Sequence, residues 1–105
     1  MIARIWHGWT SLENADVYEN LLKTEIFSSI ALRNVKGYKG IQLFRRSLEK
    51  EVEFITTMWF ESLENVKLFA GEDYERCVVP QKAREVLKRF DEVSQHYEIR
   101  EKLEY

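Results

Sequence analysis

The run from Phe54 to Phe60 constrains the fold more than any other part of the sequence, because it carries large apolar side chains at both odd and even positions. Successive side chains of a β-strand point to opposite faces of a sheet. As a strand, the run places Phe54, Met58 and Phe60 on one face and Ile55 and Trp59 on the other. One layer of helices covers only one face, so the second apolar face requires a cover of its own.

Alternation, helix caps and turn residues predict four strands with helices between them. In chain order we expect a strand over 2–9, a helix from the Thr10–Glu13 capping box to about Asn34, strands over 38–47 and 52–61, a short helix between Ser62 and Gly71, a helix after Pro80 and a strand over 93–99. The first helix is expected to bury Tyr18, Leu22, Ile26 and Ile30, with Val17 and Leu21 beside them. The last helix is expected to bury Ala83, Val86, Leu87 and Phe90.

A short internal repeat supports one particular order of these elements. The tetrapeptide SLEN occurs at residues 11–14 and again at 62–65, each time where a predicted strand hands over to a helix. Two such halves give the order βαββαβ, which is a ferredoxin-like α+β fold with a four-stranded antiparallel sheet and helices on one face. Since no linker or low-complexity stretch divides the chain, residues 1–105 are predicted to form a single domain.

The uncovered face of this sheet predicts a homodimer. We assign Phe54, Met58 and Phe60 to that face, where they would form a larger apolar patch than a monomer usually exposes. Burying each side chain is worth at most about 1.5–3 kcal/mol. A second copy of the same sheet, packed face to face through a two-fold axis, is the simplest cover.

Charge and composition argue against several other partners. The 16 basic and 18 acidic residues are interspersed and give a net charge of −2, so no basic block indicates nucleic-acid or membrane binding. Residues 36–41 begin like the signature of RNA-recognition domains, but that signature belongs on the third strand and lies here on the second. No apolar run approaches the ~20 residues of a membrane span, and the N-terminus lacks the features of a signal peptide.

The few metal-binding and redox-active residues point to an intracellular protein without a metal. The single Cys77 has no partner for a disulfide in the chain, which favours a reducing, cytoplasmic setting. His7 and His96 lack a convincing third ligand, so we expect no metal site.

Four segments carry a resemblance to a known family: RIWHGWTSLEN, the GYKG turn, TMWFESLENVKLF and AGEDYERCVVP. Together they resemble the antibiotic biosynthesis monooxygenase-like family of dimeric α/β barrels. The resemblance implies a dimer, and in each subunit a pocket between sheet and helices. Known members include cofactor-free oxygenases of polycyclic phenols and haem-degrading monooxygenases.

The functional residues of that family are only partly present. Trp59 matches the tryptophan at the end of the third strand in the quinone-forming oxygenases, whereas their asparagine and tyrosine positions hold Ile55 and Asn65. The second tryptophan and the haem-ligating histidine of the haem-degrading members correspond to Leu68 and Val78. The resemblance therefore disfavours haem, and we expect no cofactor.

Two residues are predicted to be catalytic, His7 and Trp59. Alternation places His7 on one face with Trp9, on a strand that should neighbour the one carrying Trp59. If Trp59 faces the pocket as its family counterpart does, His7 is suited to remove a phenolic proton there. A structural reading remains open for both, as a satisfied core histidine and a core plug.

Four further residues, Trp9, Ile55, Asn65 and Tyr74, are predicted to bind substrate. Asn65 is suited to hold a substrate oxygen and Tyr74 to donate a hydrogen bond, although a helix-surface position and a loop anchor are the alternatives. The function predicted on this basis is a cofactor-independent monooxygenase of a small aromatic or apolar molecule. The alternative is a non-catalytic ligand-binding or structural barrel protein.

Overall fold

The computed structural model describes residues 1–77 and 79–105, so Val78, which takes the haem-ligand position, lies outside the described residues. In chain order the elements are β1 (Ile2–Ser11), α1 (Ala15–Leu21), a π-helical turn (Leu22–Ile26), α2 (Phe27–Leu32), β2 (Tyr38–Ser47), β3 (Glu51–Phe60), α3 (Leu63–Ala70), α4 (Gln81–Val86), β4 (Leu87–Phe90) and β5 (Gln95–Glu98). In this part of the chain, no helix has the length and apolar character that crossing a bilayer requires.

The strands form one antiparallel sheet in the order β2-β3-β1-β4, with β5 also paired to β1. The central pair is in register from Ile2 opposite Phe60 to Ser11 opposite Glu51. The helices pack on one face, which confirms the α+β, ferredoxin-like class. The sheet contains five strands rather than the four predicted.

The fifth strand arises because two separate segments, Leu87–Phe90 and Gln95–Glu98, pair with β1 where one strand was predicted. The expectation that Leu87 and Phe90 belong to a helix is wrong: α4 ends at Val86, and Leu87–Phe90 forms β4 opposite Gly8–Thr10. After a gap, β5 pairs with the other half of β1, at Ile2–Ile5. Pairing both segments with β1 satisfies backbone groups that would otherwise form an open edge.

The two faces of the sheet are the reverse of the sequence-based assignment. Phe54 and Phe60 are 0 % exposed and Met58 is 6 % exposed, because they lie beneath the helices. The Tyr18 ring packs edge-on against Phe54 with ring centroids 4.9 Å apart. The expectation that these three residues cover a dimer partner is therefore wrong, although the alternation that groups them is correct. The open face carries the odd-numbered side chains of β1 and β3 instead.

The first helix begins later than the capping box predicts. Thr10 and Ser11 still belong to β1, and α1 begins at Ala15, after Ser11 Oγ has accepted a hydrogen bond from the Asn14 backbone N–H at 3.2 Å. The strand takes these residues because its pairing with β3 continues to Ser11. The helix then runs from α1 through the π-helical turn into α2, and Val17 lies exposed on its outer side.

The second SLEN segment behaves as predicted. Ser62 precedes α3, which ends at Gly71 in a left-handed conformation with φ 89°. Position 71 therefore favours glycine, which adopts positive φ without the steric cost that a Cβ brings.

Candidate functional site

A cavity of about 260 Å³ lies between the helical face of the sheet and the helices. Its floor is formed by the even-numbered side chains of β1 and β3, which include Arg4, Trp6, Thr56 and Met58. Apolar side chains of the first helix form one wall. The site therefore has the mainly apolar lining that is typical of pockets for small organic molecules, and its volume is slightly smaller than the usual range of about 300–1,000 Å³.

Arg4 is the most unusual residue of the cavity, because it is charged and only 6 % exposed. Its Nη1 donates to the Tyr74 carbonyl oxygen and lies 2.9 Å from His96 Nε2, and its Nη2 lies 3.8 Å from Cys77 Sγ. Within residues 1–77 and 79–105, Arg4 forms no ion pair with Asp or Glu. Buried arginines are ordinarily paired, so its charge lacks the usual compensation.

His96 is held in the neutral state beside Arg4. Burial, and secondly the positive charge of Arg4, lower the pKa of His96 to about 4. At neutral pH its Nε2 can therefore accept a hydrogen bond from the Arg4 guanidinium. The Tyr74 ring packs edge-on against the imidazole with centroids 5.1 Å apart, which fixes the ring orientation.

Cys77 completes this end of the cavity. Its Sγ lies 2.7 Å from the Ser94 hydroxyl, and Ser94 is buried. Burial raises the pKa of the Cys77 thiol, although the Ser94 hydrogen bond and the charge of Arg4 oppose the rise. The group is therefore a thiol at neutral pH and does not neutralise Arg4.

Two more arginines lie at the margin of the cavity, and none of the cavity residues that the structure describes is acidic. Arg33 donates from Nη2 to the Phe69 carbonyl oxygen at 2.8 Å, and its guanidinium lies 4.6 Å from the centre of the Phe69 ring. Arg76 pairs with Asp73 at 3.3 Å on the surface. The cavity is thus positively charged in a chain whose net charge is −2.

The two predicted catalytic residues lie on the other side of the sheet. His7 is opposite Ile55, and Trp59 is opposite Ala3, all on the open face. His7 and Trp59 do not line this cavity, because the cavity side chains of β1 and β3 are the even-numbered ones. The condition under which His7 was predicted to act, that Trp59 faces the pocket, is not met there. His7 also lies four positions along β1 from Ala3, the residue opposite Trp59, which displaces it by about 13 Å along the strand at 3.3 Å per residue.

On the open face, His7 belongs to a polar cluster. Its Nδ1 lies 3.2 Å from Glu53 Oε2, and Arg46 donates to Glu53 Oε1 at 2.7 Å. Trp9 lies beside His7, with ring centroids 6.0 Å apart, and Arg89 stacks 3.8 Å from the Trp9 ring centre. The structure thus brings His7, Trp9 and Ile55 together, but away from the cavity.

The other two predicted binding residues differ from each other. Asn65 is buried and donates from Nδ2 to the Lys36 carbonyl oxygen at 2.9 Å, while its Oδ1 accepts from Ser62 Oγ at 2.6 Å. Its amide therefore anchors the turn before β2 and does not line the cavity. Tyr74 lies beside Arg4, where its carbonyl oxygen accepts a hydrogen bond from the guanidinium and its ring packs against His96.

The residues that sequence reasoning missed are Arg4 and Trp6, together with the position of His96 beside them. One signal was present in the sequence, since Arg4 and Trp6 share the parity that alternation assigns to a single face of β1. An arginine in an otherwise apolar strand is unusual if its face of the sheet is buried, because charged side chains are rarely buried without a partner.

Solved structures with the same fold were found, whereas no family model and no curated protein matches the sequence. A candidate antibiotic biosynthesis monooxygenase from Bacillus cereus superposes with a TM-score of 0.70 at 8 % identity, over 99 % of this chain and 97 % of that one. The heme-degrader MhuD from Mycobacterium tuberculosis, with two hemes bound in its active site, gives a TM-score of 0.58 at 20 % identity, over 99 % and 100 % of the two chains. A mutant of MhuD with two manganese protoporphyrins per active site gives 0.58 at 21 %, over 100 % of both chains. The resemblance seen in the sequence is therefore confirmed at the level of the fold.

Proposed function

We propose that this chain is a monooxygenase-like enzyme that oxidises a small, electron-rich aromatic molecule in the cavity between sheet and helices, without a resident cofactor. The observation that carries the proposal is the apolar cavity of about 260 Å³ in a chain with the fold of an antibiotic biosynthesis monooxygenase candidate. Its floor and helical wall would shield a bound ring from water on these sides, which favours chemistry on an oxygen-sensitive intermediate.

The reaction balances without an external reductant for an anthrone-like substrate. Its methylene carbon loses two hydrogens and gains a double-bonded oxygen, and the second oxygen atom of O₂ leaves as water with those two hydrogens. The four electrons that reduce O₂ come from the substrate itself. The protein's part is to bind the ring, to exclude bulk water and to stabilise negative charge as the substrate ionises.

Haem is the cofactor that the MhuD structures raise for this chain, and the described cavity residues do not fit it. Haem iron takes His, Tyr or Cys thiolate ligands, with Met as the second ligand beside His. Tyr18 is 1 % exposed, and burial raises its pKa, as it does that of Cys77. His96 Nε2 is engaged by Arg4. Added haem is therefore expected to show no Soret shift from specific ligation.

The test is oxygen consumption with anthrone- and hydroquinone-like compounds, combined with two neighbouring variants. Thr56→Phe fills the cavity from its floor, whereas Thr57→Phe adds the same ring one residue later on the open face. We expect wild-type protein and Thr57→Phe to consume oxygen and Thr56→Phe to lose at least ten-fold of the rate. Equal rates for both variants would place the reaction outside this cavity.

A non-catalytic ligand-binding barrel is the second candidate, and one observation favours it. His7 lies on the open face, and His96 is already committed to Arg4, so the cavity offers no imidazole free to act as a base. Tight binding of the same aromatic compounds without oxygen uptake would select this alternative.

A homodimer is part of the proposal, with the open face of the sheet as its interface. Phe44 and Tyr97 are exposed there, and Ile5, Ile55 and Trp59 are only half-buried. A row of apolar side chains on an uncovered sheet favours pairing with a second copy. The interface proposed here consists of the odd-numbered residues of β1, β3 and β5 and the even-numbered Phe44 of β2, in place of Phe54, Met58 and Phe60.

A further inference from the structure

We propose that the ligand of the cavity is an anion, an aromatic molecule whose ionised oxygen binds Arg4. This inference rests on the proposed function only in using the same cavity. It adds the substrate class: an aromatic carboxylate or phenolate in preference to a neutral hydrocarbon or amide.

The first support is the state of Arg4 itself. A guanidinium cannot lose its charge at physiological pH, so burial leaves a full positive charge inside the protein. The described residues supply a carbonyl, an imidazole nitrogen and a distant sulfur as hydrogen-bond partners, and the Phe69 ring lies 5.8 Å from the guanidinium; none of these groups carries a negative charge at neutral pH. A buried charge of this kind is costly until an opposite charge pairs with it.

The second support is the geometry around the guanidinium. Arginine has five N–H donors, and the described contacts engage three, so donors remain for a ligand oxygen. His96 and the Tyr74 carbonyl hold one edge of the group in place. A guanidinium that is already oriented loses little rotamer entropy when a carboxylate or phenolate binds.

The third support is the charge of the surroundings. All charged residues that line the described part of the cavity are arginines, Arg4, Arg33 and Arg76, of which Arg76 is paired with Asp73 at the surface. Arg33 is exposed, and its guanidinium interacts with the Phe69 carbonyl and ring and, among the described residues, with no carboxylate, so it can attract an anion towards the entrance. Apolar walls beside this charge suit a ligand with an aromatic body and one anionic end.

Arg4 would also stabilise the charge that develops in the oxygenation step. An aromatic alcohol bound with its oxygen at Arg4 would ionise more readily, since a nearby positive charge lowers the pKa of an acid. The proton would pass to solvent, and the electron-rich phenolate would remain in the cavity to reduce O₂. Arg4 would then act on the reacting molecule directly and would not require a histidine base.

The test compares two probes of the same shape and different charge, 2-naphthoate and 2-naphthamide, by calorimetry at pH 7. We expect wild-type protein to bind 2-naphthoate at least ten-fold more tightly. Arg4→Met should bring the two affinities within about two-fold of each other. Arg100→Met removes the same charge from an exposed position outside the cavity and should keep the wild-type preference.

If Arg4→Met does not fold, Arg4→Lys takes its place in the test, because lysine keeps the positive charge. This variant should retain at least a three-fold preference for the anion. Equal binding of both probes by the wild type, no binding of either, or an unchanged preference in Arg4→Met would overturn the inference. Binding of 2-naphthoate with the expected preference but no oxygen uptake from any phenol would refute the oxygenase proposal alone. Oxygen uptake without anion preference would refute only the inference made here.

Discussion

Replacement of His96 by glutamine tests the arrangement at the charged end of the cavity. In the folded protein, the His96 Nε2 lies 2.9 Å from the Arg4 guanidinium, so a proton on that nitrogen would face a fixed positive charge. The pKa of His96 is accordingly lowered to about 4, by burial first and Arg4 second. Glutamine keeps an acceptor oxygen for Arg4 but does not titrate.

The sign and size of the effect follow from linkage. Between pH 6.5 and about 4, the unfolded chain binds a proton on His96 that the folded protein excludes. The free energy of unfolding is therefore complete above pH 6.5 and falls as the pH is lowered through this range. At about 1.4 kcal/mol per pKa unit the full difference is roughly 3 kcal/mol, which partial exposure of the ring reduces to about 1–2 kcal/mol. About 1 kcal/mol of it is lost between pH 7 and pH 5.

The measurement is urea unfolding of wild-type protein and His96→Gln at pH 7 and pH 5. Carboxylates titrate equally in both proteins, so their contribution cancels in the comparison. We expect the wild type to lose about 1 kcal/mol more than the variant on acidification. If both lose the same free energy, or if the variant loses more, the pairing of a neutral His96 with Arg4 is refuted.

Three other predictions concern the sheet and its turns. Phe54→Ala should lower the free energy of unfolding by about 3–5 kcal/mol in urea melts, because Phe54 is 0 % exposed beneath the helices. Ile55→Ala, on the open face, should lower it by clearly less. Equal losses would contradict the assignment of faces. Light scattering should give the wild-type protein about twice the chain mass of 12.6 kDa. Ile55→Glu, which places a charge on the open face, should give the mass of one chain. A wild-type monomer at high concentration would exclude the dimer. Gly37→Ala should lower the thermal midpoint by the equivalent of at least about 1–3 kcal/mol, since φ is 82° and the added Cβ would lie 2.2 Å from Asn65 Cγ; an unchanged midpoint would disprove this strain.

Alternation in the sequence could predict which residues share a face of the sheet, but not which face is covered. The bounds of β2 and the position of α3 follow from their glycines and their apolar runs. In β3, however, both faces carry large apolar side chains, so the pattern does not indicate which face is buried. Tyr18 and Phe69, which pack on Phe54 and Phe60, decide between the faces. Tyr18 comes from the first helix, 36 residues before Phe54, and Phe69 from the helix that follows β3.

The helix predicted beyond Val86 failed for a related reason. The spacing of Ala83, Val86, Leu87 and Phe90 fits one helical face, and the observed helix α4 extends as far as Val86. The free edge of β1 then outweighs this local preference, because it offers hydrogen bonds to the backbone of residues 87–90. Such an edge is a property of the assembled sheet and has no local signal.

The candidate site could not be found from spacing. Arg4 and His96 are in contact although they are 92 residues apart in sequence, and Cys77 meets Arg4 across 73 residues. These residue types carry no motif when they are scattered through the chain. The pairing of β5 with β1 sets Arg4 opposite His96, and the bridge between Arg76 and Val93 brings Cys77 to the same end of the cavity.

The π-helical turn at Leu22–Ile26 sets the shape of the cavity wall. With 3.6 residues per turn, side chains four residues apart drift by about 40° per step, so Ile30 would lie about 120° around the helix from Tyr18. Yet Tyr18, Leu22, Ile26 and Ile30 all line the cavity, because the wider turn accommodates one extra residue and removes most of that drift. Deleting one residue there, such as Thr24, would rotate α2 by about 100° and withdraw Ile30 from the ligand. The length of a single turn thus tunes the dimensions of the cavity without any change to the side chains on its wall.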